Sequence, residues 1–241
     1  MYYDIHTHIL PGMDDGADSL RTSIQMLRES ARQGVDILCA TPHFSADGDD
    51  VLSFLGRREE ALAYLRSAVK KRSGETFPEL RLGAEVGYFP GLSEAEDVRD
   101  HGLAGTPFLL IDPPAVPWTD DMLDEIERCG KTLRCVPVIS HIDRCMRILH
   151  DESLISRTKG RRMLIQVNGS FFLHRRSRER ALKHLADGDI HFIGSDCRNL
   201  HDSAPNLAYA ADVIDEAGLT PVLEELDGRV RRVIQATAAK E

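Results

Sequence analysis

Short apolar runs alternate along the chain with longer segments in which apolar residues recur every three or four positions. The first pattern predicts buried strands and the second amphipathic helices. Tyr2, Tyr3 and Ile5 suit an opening strand. The helix after it presents Leu20, Ile24, Leu27 and Ala31, with Asp18 or Ser19 as its cap and Gly34 as its stop. Val35 to Ala40 predicts a second strand, and Leu52, Leu55, Leu62, Leu65 and Val69 mark a helix that ends near Gly74. Leu80 to Val86 is the third predicted strand, Ser93 opens a short helix, and Phe108 to Ile111 is a fourth strand stopped by Asp112-Pro113-Pro114. Thr119 caps a helix through Met122, Leu123 and Ile126. Cys135 to Ser140, Met163 to Val167 and Ile190 to Gly194 supply the remaining strands, with helices around residues 175–187, 206–217 and 221–238.

Nearly continuous apolar strands between amphipathic helices indicate a parallel sheet covered on both faces. Some seven such units favour a closed or nearly closed barrel, so residues 1–241 are expected to form a single α/β domain. The polar residues then take on a pattern. His6, His8, His43, Glu85, Asp112, His141 and Asp196 all stand at, or just beyond, the carboxyl ends of predicted strands, where barrel enzymes assemble their sites. His6 and His8, two positions apart on a strand, project from one face as half of a divalent-metal site. The turn-forming loop Leu10 to Gly16 brings Asp14 and Asp15 beside them; both could be plain turn or capping residues, and Gly16 makes that role reasonable for Asp14.

Composition narrows the function. The chain is 42% hydrophobic and 29% charged, without an apolar run long enough to span a bilayer or a signal-peptide pattern at the start, so no membrane insertion is expected. Five scattered cysteines without a C-x-x-C spacing fit a reducing cytoplasm. A net charge of −9 opposes duplex nucleic-acid binding. Imidazoles and carboxylates without thiolates suit Mn²⁺, Fe²⁺ or Zn²⁺. So many ligands exceed one ion's needs, which implies two to three ions bridged by a carboxylate, with Glu85 the best placed. Such clusters favour phosphoester hydrolysis first and amide hydrolysis second. No cysteine has an arginine six positions later, and neither a phosphate-binding Gly-x-x-x-x-Gly-Lys loop nor a Gly-x-Ser-x-Gly elbow occurs.

The stretches Asp4-Ile5-His6-Thr7-His8 to Gly16, Ala40-Thr41-Pro42-His43, Gly83-Ala84-Glu85, Pro137 to Arg144 and Ile193-Gly194-Ser195-Asp196 resemble, in order, the motifs of the PHP (polymerase and histidinol phosphatase) superfamily. More narrowly, the chain resembles the manganese-dependent bacterial protein-tyrosine phosphatases encoded with capsule and exopolysaccharide genes. The resemblance implies a distorted (β/α)₇ barrel and three metals. His6, His8, Glu85 and Asp196 would hold the first ion, Glu85, Asp112 and His141 the second, and Asp15 and His43 the third. Arg144 resembles the arginine that grips the substrate phosphate. The implied activity is hydrolysis of phosphotyrosine by a metal-bridging hydroxide without a phosphoenzyme, with the tail of a bacterial tyrosine kinase as the natural substrate. Two other readings stay open: a phosphoesterase of the same fold acting on histidinol phosphate or a nucleotide, and a metal-poor, non-catalytic regulatory homologue. The arginine run near His174 is either a solvated helix face or a guide for an acidic tail.

The chain departs from the family pattern at two places. Where the family has Ser-Asp-x-His, this sequence has Ser195-Asp196-Cys197-Arg198, and the family's arginine a few residues later is missing, with Ser203 or Ala204 near that place. Asp112, where a glutamate is usual, is a milder change. Arginine keeps its proton and cannot ligate a metal. Either Arg198 fills the third-ion position, pairs with Asp15 and offers its guanidinium to the phosphate, or it swings away and His201 replaces it as ligand. The first alternative is preferred, because ligand geometry rarely survives a three-residue displacement in a loop.

Overall fold

In a computed structural model, residues 3–103 and 106–238 are described, with the side chains of the last helix followed to Val233. Tyr2 of the predicted first strand lies outside these residues. Strand β1 (Tyr3–Thr7) pairs in parallel with β2 (Ile37–Ala40), which pairs with β4 (Glu79–Leu82). The short β3 (His43–Phe44) and β5 (Glu85–Gly87) continue β2 and β4 after interruptions at Thr41-Pro42 and Gly83-Ala84. The predicted continuous strand Leu80 to Val86 is therefore broken. At Gly83 a β-carbon would fall 2.4 Å from Leu103 Cδ2, so the absence of a side chain there makes room for Leu103, and the ladder resumes at Glu85. Strands β6 (Phe108–Asp112), β7 (Val136–Ile139), β8 (Leu164–Asn168) and β9 (Phe192–Gly194) follow, all parallel.

The sheet curls until its last strand meets its first. Asp196 N donates to His6 O and His8 N to Cys197 O, both at 2.9 Å, and Thr7 bridges Cys197. A buried carboxylate secures this seam: Asp4 Oδ1 accepts from Ser195 N at 3.0 Å and from His6 N at 3.3 Å. The result is the expected distorted (β/α)₇ barrel, with two of its seven strand positions interrupted. Alternate residues of β6 divide between two cores, as a strand's side chains must. Leu109 and Ile111 join the large cluster under the helices, whereas Phe108 and Leu110 join a smaller one with Tyr3, Ile5, Val138, Phe192 and Val230.

The helices follow their caps. Ser19 Oγ accepts from Thr22 N at the start of α1 (Leu20–Arg32), and Gly34, at φ +75°, ends the turn after it. Helix α2 (Val51–Lys70) buries Phe54, Arg58, Leu62, Leu65 and Ala68; the predicted face member Leu52 is 79% exposed, because the buried stripe is set by Phe54. Thr119 caps α3 (Asp120–Thr132). Three helical segments escaped the apolar periodicity: α4 (Ile142–Leu149), α5 (Leu154–Thr158) and α6 (Ser170–Leu173). They are too short for a 3.6-residue repeat to stand out. Helices α7 (Arg178–Ala186), α8 (Leu207–Glu216) and α9 (Thr220–Ala238) match the expected positions.

Candidate metal centre

The polar strand ends converge on one mouth of the barrel. In-register pairing of His43 with Glu85 sets two of them side by side, and Gly87 pairs with Asp112 on the next strand. His6 Nε2 lies 3.1 Å from Glu85 Oε2, His8 Nε2 lies 3.4 Å from it, and His43 Nδ1 lies 3.1 Å from it. On the other carboxylate oxygen, His141 Nε2 approaches Glu85 Oε1 to 2.7 Å and Asp112 Oδ1 to 3.6 Å. Asp196 Oδ1 is 3.3 Å from His8 Nε2 and 3.7 Å from His6 Nε2. Four overlapping groups result, each with donor atoms within 4.8 Å of one another: His6, His8 and Asp196; His6, Glu85 and His141; His43, Glu85 and Asp112; and His8, Asp14, Asp15 and His43. All eight expected ligands and Arg198 are in this assembly.

The orientation of the inner imidazoles follows from their outer partners. Gln166 Oε1 accepts from the backbone N–H of His141 at 2.7 Å, which identifies that atom as the oxygen, so His6 Nδ1, 3.2 Å away, must donate to it. Asp14 Oδ2 likewise accepts from His8 Nδ1 at 2.7 Å and from His43 N at 3.0 Å. The Nε2 atoms of His6 and His8 therefore turn toward each other at 3.2 Å and toward carboxylates. Burial opposes charge on His8, yet Asp14, Asp196 and Glu85 bring it well above an ordinary imidazole. Glu85 Oε2 is buried without a hydrogen-bond donor. A buried carboxylate oxygen ringed by imidazole nitrogens without a hydrogen bond is a costly arrangement that a cation among them would relieve. The donor set fits divalent ions of the borderline or hard kind.

Charge and strain reinforce the point. Burial alone would raise the Glu85 carboxyl, but the His6 and His141 rings hold it well below the usual range. Burial opposes charge on His141 too, yet Glu85, Cys145 and Asp112 bring it well above an ordinary imidazole. Asp112, buried beside the Glu85 charge, is pushed up to about 6. His141 and Asp196 adopt φ of +27° and +50°, unusual for residues with a β-carbon and typical of sites held by their surroundings. Gly16 is required here: a β-carbon on it would sit 2.1 Å from His8 O.

Arg198 points inward. Its Nη1 donates to Asp15 Oδ1 and lies 2.9 Å from His43 Nε2, while Nη2 and Nε donate to Asp196 Oδ1 at 2.9 and 3.2 Å. His201 is exposed and joins none of the ligand groups among the described residues. Arg144, half-buried, stands in the first turn of α4 with its side chain on the same cleft, and makes no ion pair among the described residues.

The family described as "Capsular polysaccharide synthesis, CpsB/CapC" matches residues 2–226. The chain belongs to this family. It is 28% identical over 225 residues to tyrosine-protein phosphatase CpsB of Streptococcus agalactiae, covering 88% of each chain. It is also 28% identical over 214 residues to tyrosine-protein phosphatase YwqE of Bacillus subtilis, covering 82% of this chain and 77% of the relative. Among solved structures, one from work on YwqE of Bacillus subtilis and CpsB of Streptococcus pneumoniae, described as unique metal-dependent tyrosine phosphatases, superposes with a TM-score of 0.82 at 23% identity, covering 97% of this chain and 94% of that one.

Several working residues of this CpsB/CapC member were not singled out from sequence. Asp14 is more than a turn former, since it orients His8 and receives the His43 backbone. Gln166 holds His6 and the His141 backbone, and Asn168 Nδ2 donates to Asp196 Oδ2 at 2.9 Å. A glutamine inside the apolar run Leu164-Ile165-Gln166-Val167 was a legible signal, because a polar residue in a buried strand needs a partner. Asp4, the seam carboxylate, lies in the first motif, and burial pushes it up to about 6.

Proposed function

We propose that this protein is a metal-dependent protein-tyrosine phosphatase of capsule or exopolysaccharide synthesis, acting on the phosphorylated tail of a bacterial tyrosine kinase. One observation carries the reading: Glu85 stands buried at the centre of four imidazoles, with one oxygen toward His6, His8 and His43 and the other toward His141. His6, His8, Asp196, Glu85, Asp112 and His141 hold divalent ions, with manganese the first choice. When bound, such ions supply a water of lowered pKa and neutralise charge on phosphoryl oxygens.

The chain's own groups do the rest. Gln166 and Asp14 fix the two imidazole tautomers before any ion arrives, which removes a reorganisation cost. Arg144 and Arg198 bind the non-reacting phosphoryl oxygens. Because Arg198 already pairs with Asp15 and contacts His43, the protein works with two ions, and Arg198 stands in for the third. No phosphoenzyme forms. Three of the thiols support this: burial pushes Cys39 and Cys129 up to about 12 and Cys135 to about 11, so none of these three is a ready thiolate. Phenolate leaves readily, and a dedicated general acid is not needed. All five cysteines are free, and no described helix is long and apolar enough to cross a membrane; both fit a cytoplasmic setting.

The test compares manganese-stimulated hydrolysis of a phosphotyrosyl peptide, histidinol phosphate and single-stranded DNA. Preference for the peptide is expected. Preference for histidinol phosphate or DNA would replace this reading with a metabolite or nucleotide phosphoesterase, and inactivity of the ion-loaded protein on all three would leave a regulatory homologue.

A further inference from the structure

The cleft over the donor set is larger than one phosphoryl group requires. Its volume is about 840 Å³, and it runs from Asp15, Asp196 and Arg198 to a wall built from α4 and the turn between α6 and α7. That wall is basic on a protein whose net charge is −9. Arg147 follows Arg144 by three residues on α4, so the two share a helix face about one turn apart. Arg175 and Arg176 come from the other side, on the turn after α6.

The acids of the cleft are already engaged. Glu152 pairs with Arg180, Asp15 and Asp196 pair with Arg198, and Asp143 Oδ1 accepts from Asn168 N at 2.9 Å. Arg147, Arg175 and Arg176 have no ion pair or side-chain hydrogen bond among the described residues, and all three are exposed. Their turn is nonetheless anchored. Phe171 and Phe172 are buried, Ser177 Oγ donates to Phe171 O at 2.8 Å, and Arg178 Nε donates to Phe172 O at 3.1 Å. Unpaired guanidinium groups on a fixed support, continuous with the reacting centre, are a preorganised anion receptor.

We propose that Arg147, Arg175 and Arg176 form a subsite for anionic side chains flanking the phosphotyrosine, so that the protein selects acidic peptide segments over neutral ones. The three-residue step from Arg144 to Arg147 rises about 4.5 Å along α4, between one and two residues of extended peptide, so Arg147 meets a neighbour of the residue held by Arg144. The inference rests on the phosphatase reading and names the class of peptide that reading takes.

The experiment uses four phosphotyrosyl peptides of equal length, flanked by glutamate, by glutamine, by lysine, or by a second phosphotyrosine. The glutamate peptide is expected to exceed the glutamine peptide about tenfold in kcat/KM at low salt, mainly through KM, with the lysine peptide poorest. The second phosphotyrosine separates a requirement for phosphoryl from one for any anion. In Arg175→Ser/Arg176→Ser the glutamate-to-glutamine ratio should fall to within about twofold, and Arg147→Ser should lower it partway. A wild-type ratio near one, or a ratio unmoved by these substitutions, overturns the proposal. Should no peptide be hydrolysed, the phosphatase reading fails instead. Fluorescence anisotropy of the same peptides then decides the subsite, with equal affinity for the glutamate and glutamine peptides counting against it.

Discussion

Around Glu85 the inner half of the donor cluster, His6, Glu85 and His141, is wholly buried, with both rings turned onto the carboxylate. The outer half differs: His43 is 33% and Asp15 64% exposed, and the Arg198 guanidinium already lies between them. Inside, imidazoles crowd a carboxylate whose Oε1 takes a hydrogen bond from Ser140 Oγ at 2.8 Å and whose Oε2 has none; outside, the chain provides its own fixed positive charge. The same residue types thus serve two purposes. A buried acceptor set calls for an ion, whereas one that opens to solvent can be completed by a side chain.

The largest effect should come from the inner half. Glu85→Gln removes the carboxylate shared by the ligand groups, so metal content should drop to near zero and phosphotyrosyl hydrolysis by about a thousandfold or more. Elemental analysis beside kinetics reads both, and full metal retention would mean that the ions are held elsewhere. Arg198→His tests the outer half by offering an imidazole beside Asp15 and His43. The bound-ion count should rise from two to three per chain, read by elemental analysis of protein purified without chelator; three ions in the unaltered protein would end the contrast. Asp14→Asn weakens the acceptor of His8 Nδ1 while leaving every inner ligand in place. A tenfold to hundredfold loss of metal affinity, by about those factors for outer partners of ligating histidines, is expected in a competition titration.

The smallest effect separates the cluster from the fold. His101 is buried against Phe44 and Phe54, and burial, with the Arg58 charge, pushes it down to about 4. Between pH 6.5 and 4 the unfolded chain binds a proton there that the native protein does not, so stability falls as the solution is acidified through that window. Relative to His101→Phe, the wild type should lose about 2 kcal/mol from pH 7 to 4 in denaturant titrations. Parallel curves would remove His101 from the acid response and return it to the cluster.

How much was legible depended on what a residue answers to. Strand ends were legible because a short apolar run stops at a polar group: Asp112 ends β6, and His141 and Asp196 follow β7 and β9, whereas His43 and Glu85 open the resumed strands β3 and β5. The break at Gly83-Ala84 was hidden inside a run that reads as one strand, and the residue packed against Gly83, Leu103, is distant in sequence. Helix α4 escaped because its eight residues are too few to display a period, so Arg144 could be read only as a residue following a motif. The tasks of Asp14 and Gln166 depend on which ring nitrogen faces them, a property of the assembled mouth rather than of any local stretch.

The seam has a consequence for assembly. His6 and Asp196 lie far apart along the polypeptide, yet the two meet where β9 closes on β1. A chain cut before Ser195 would lack both the backbone N–H that pins Asp4 and the acid that faces His8, so the cage of donor atoms is whole only once the ring of strands has shut.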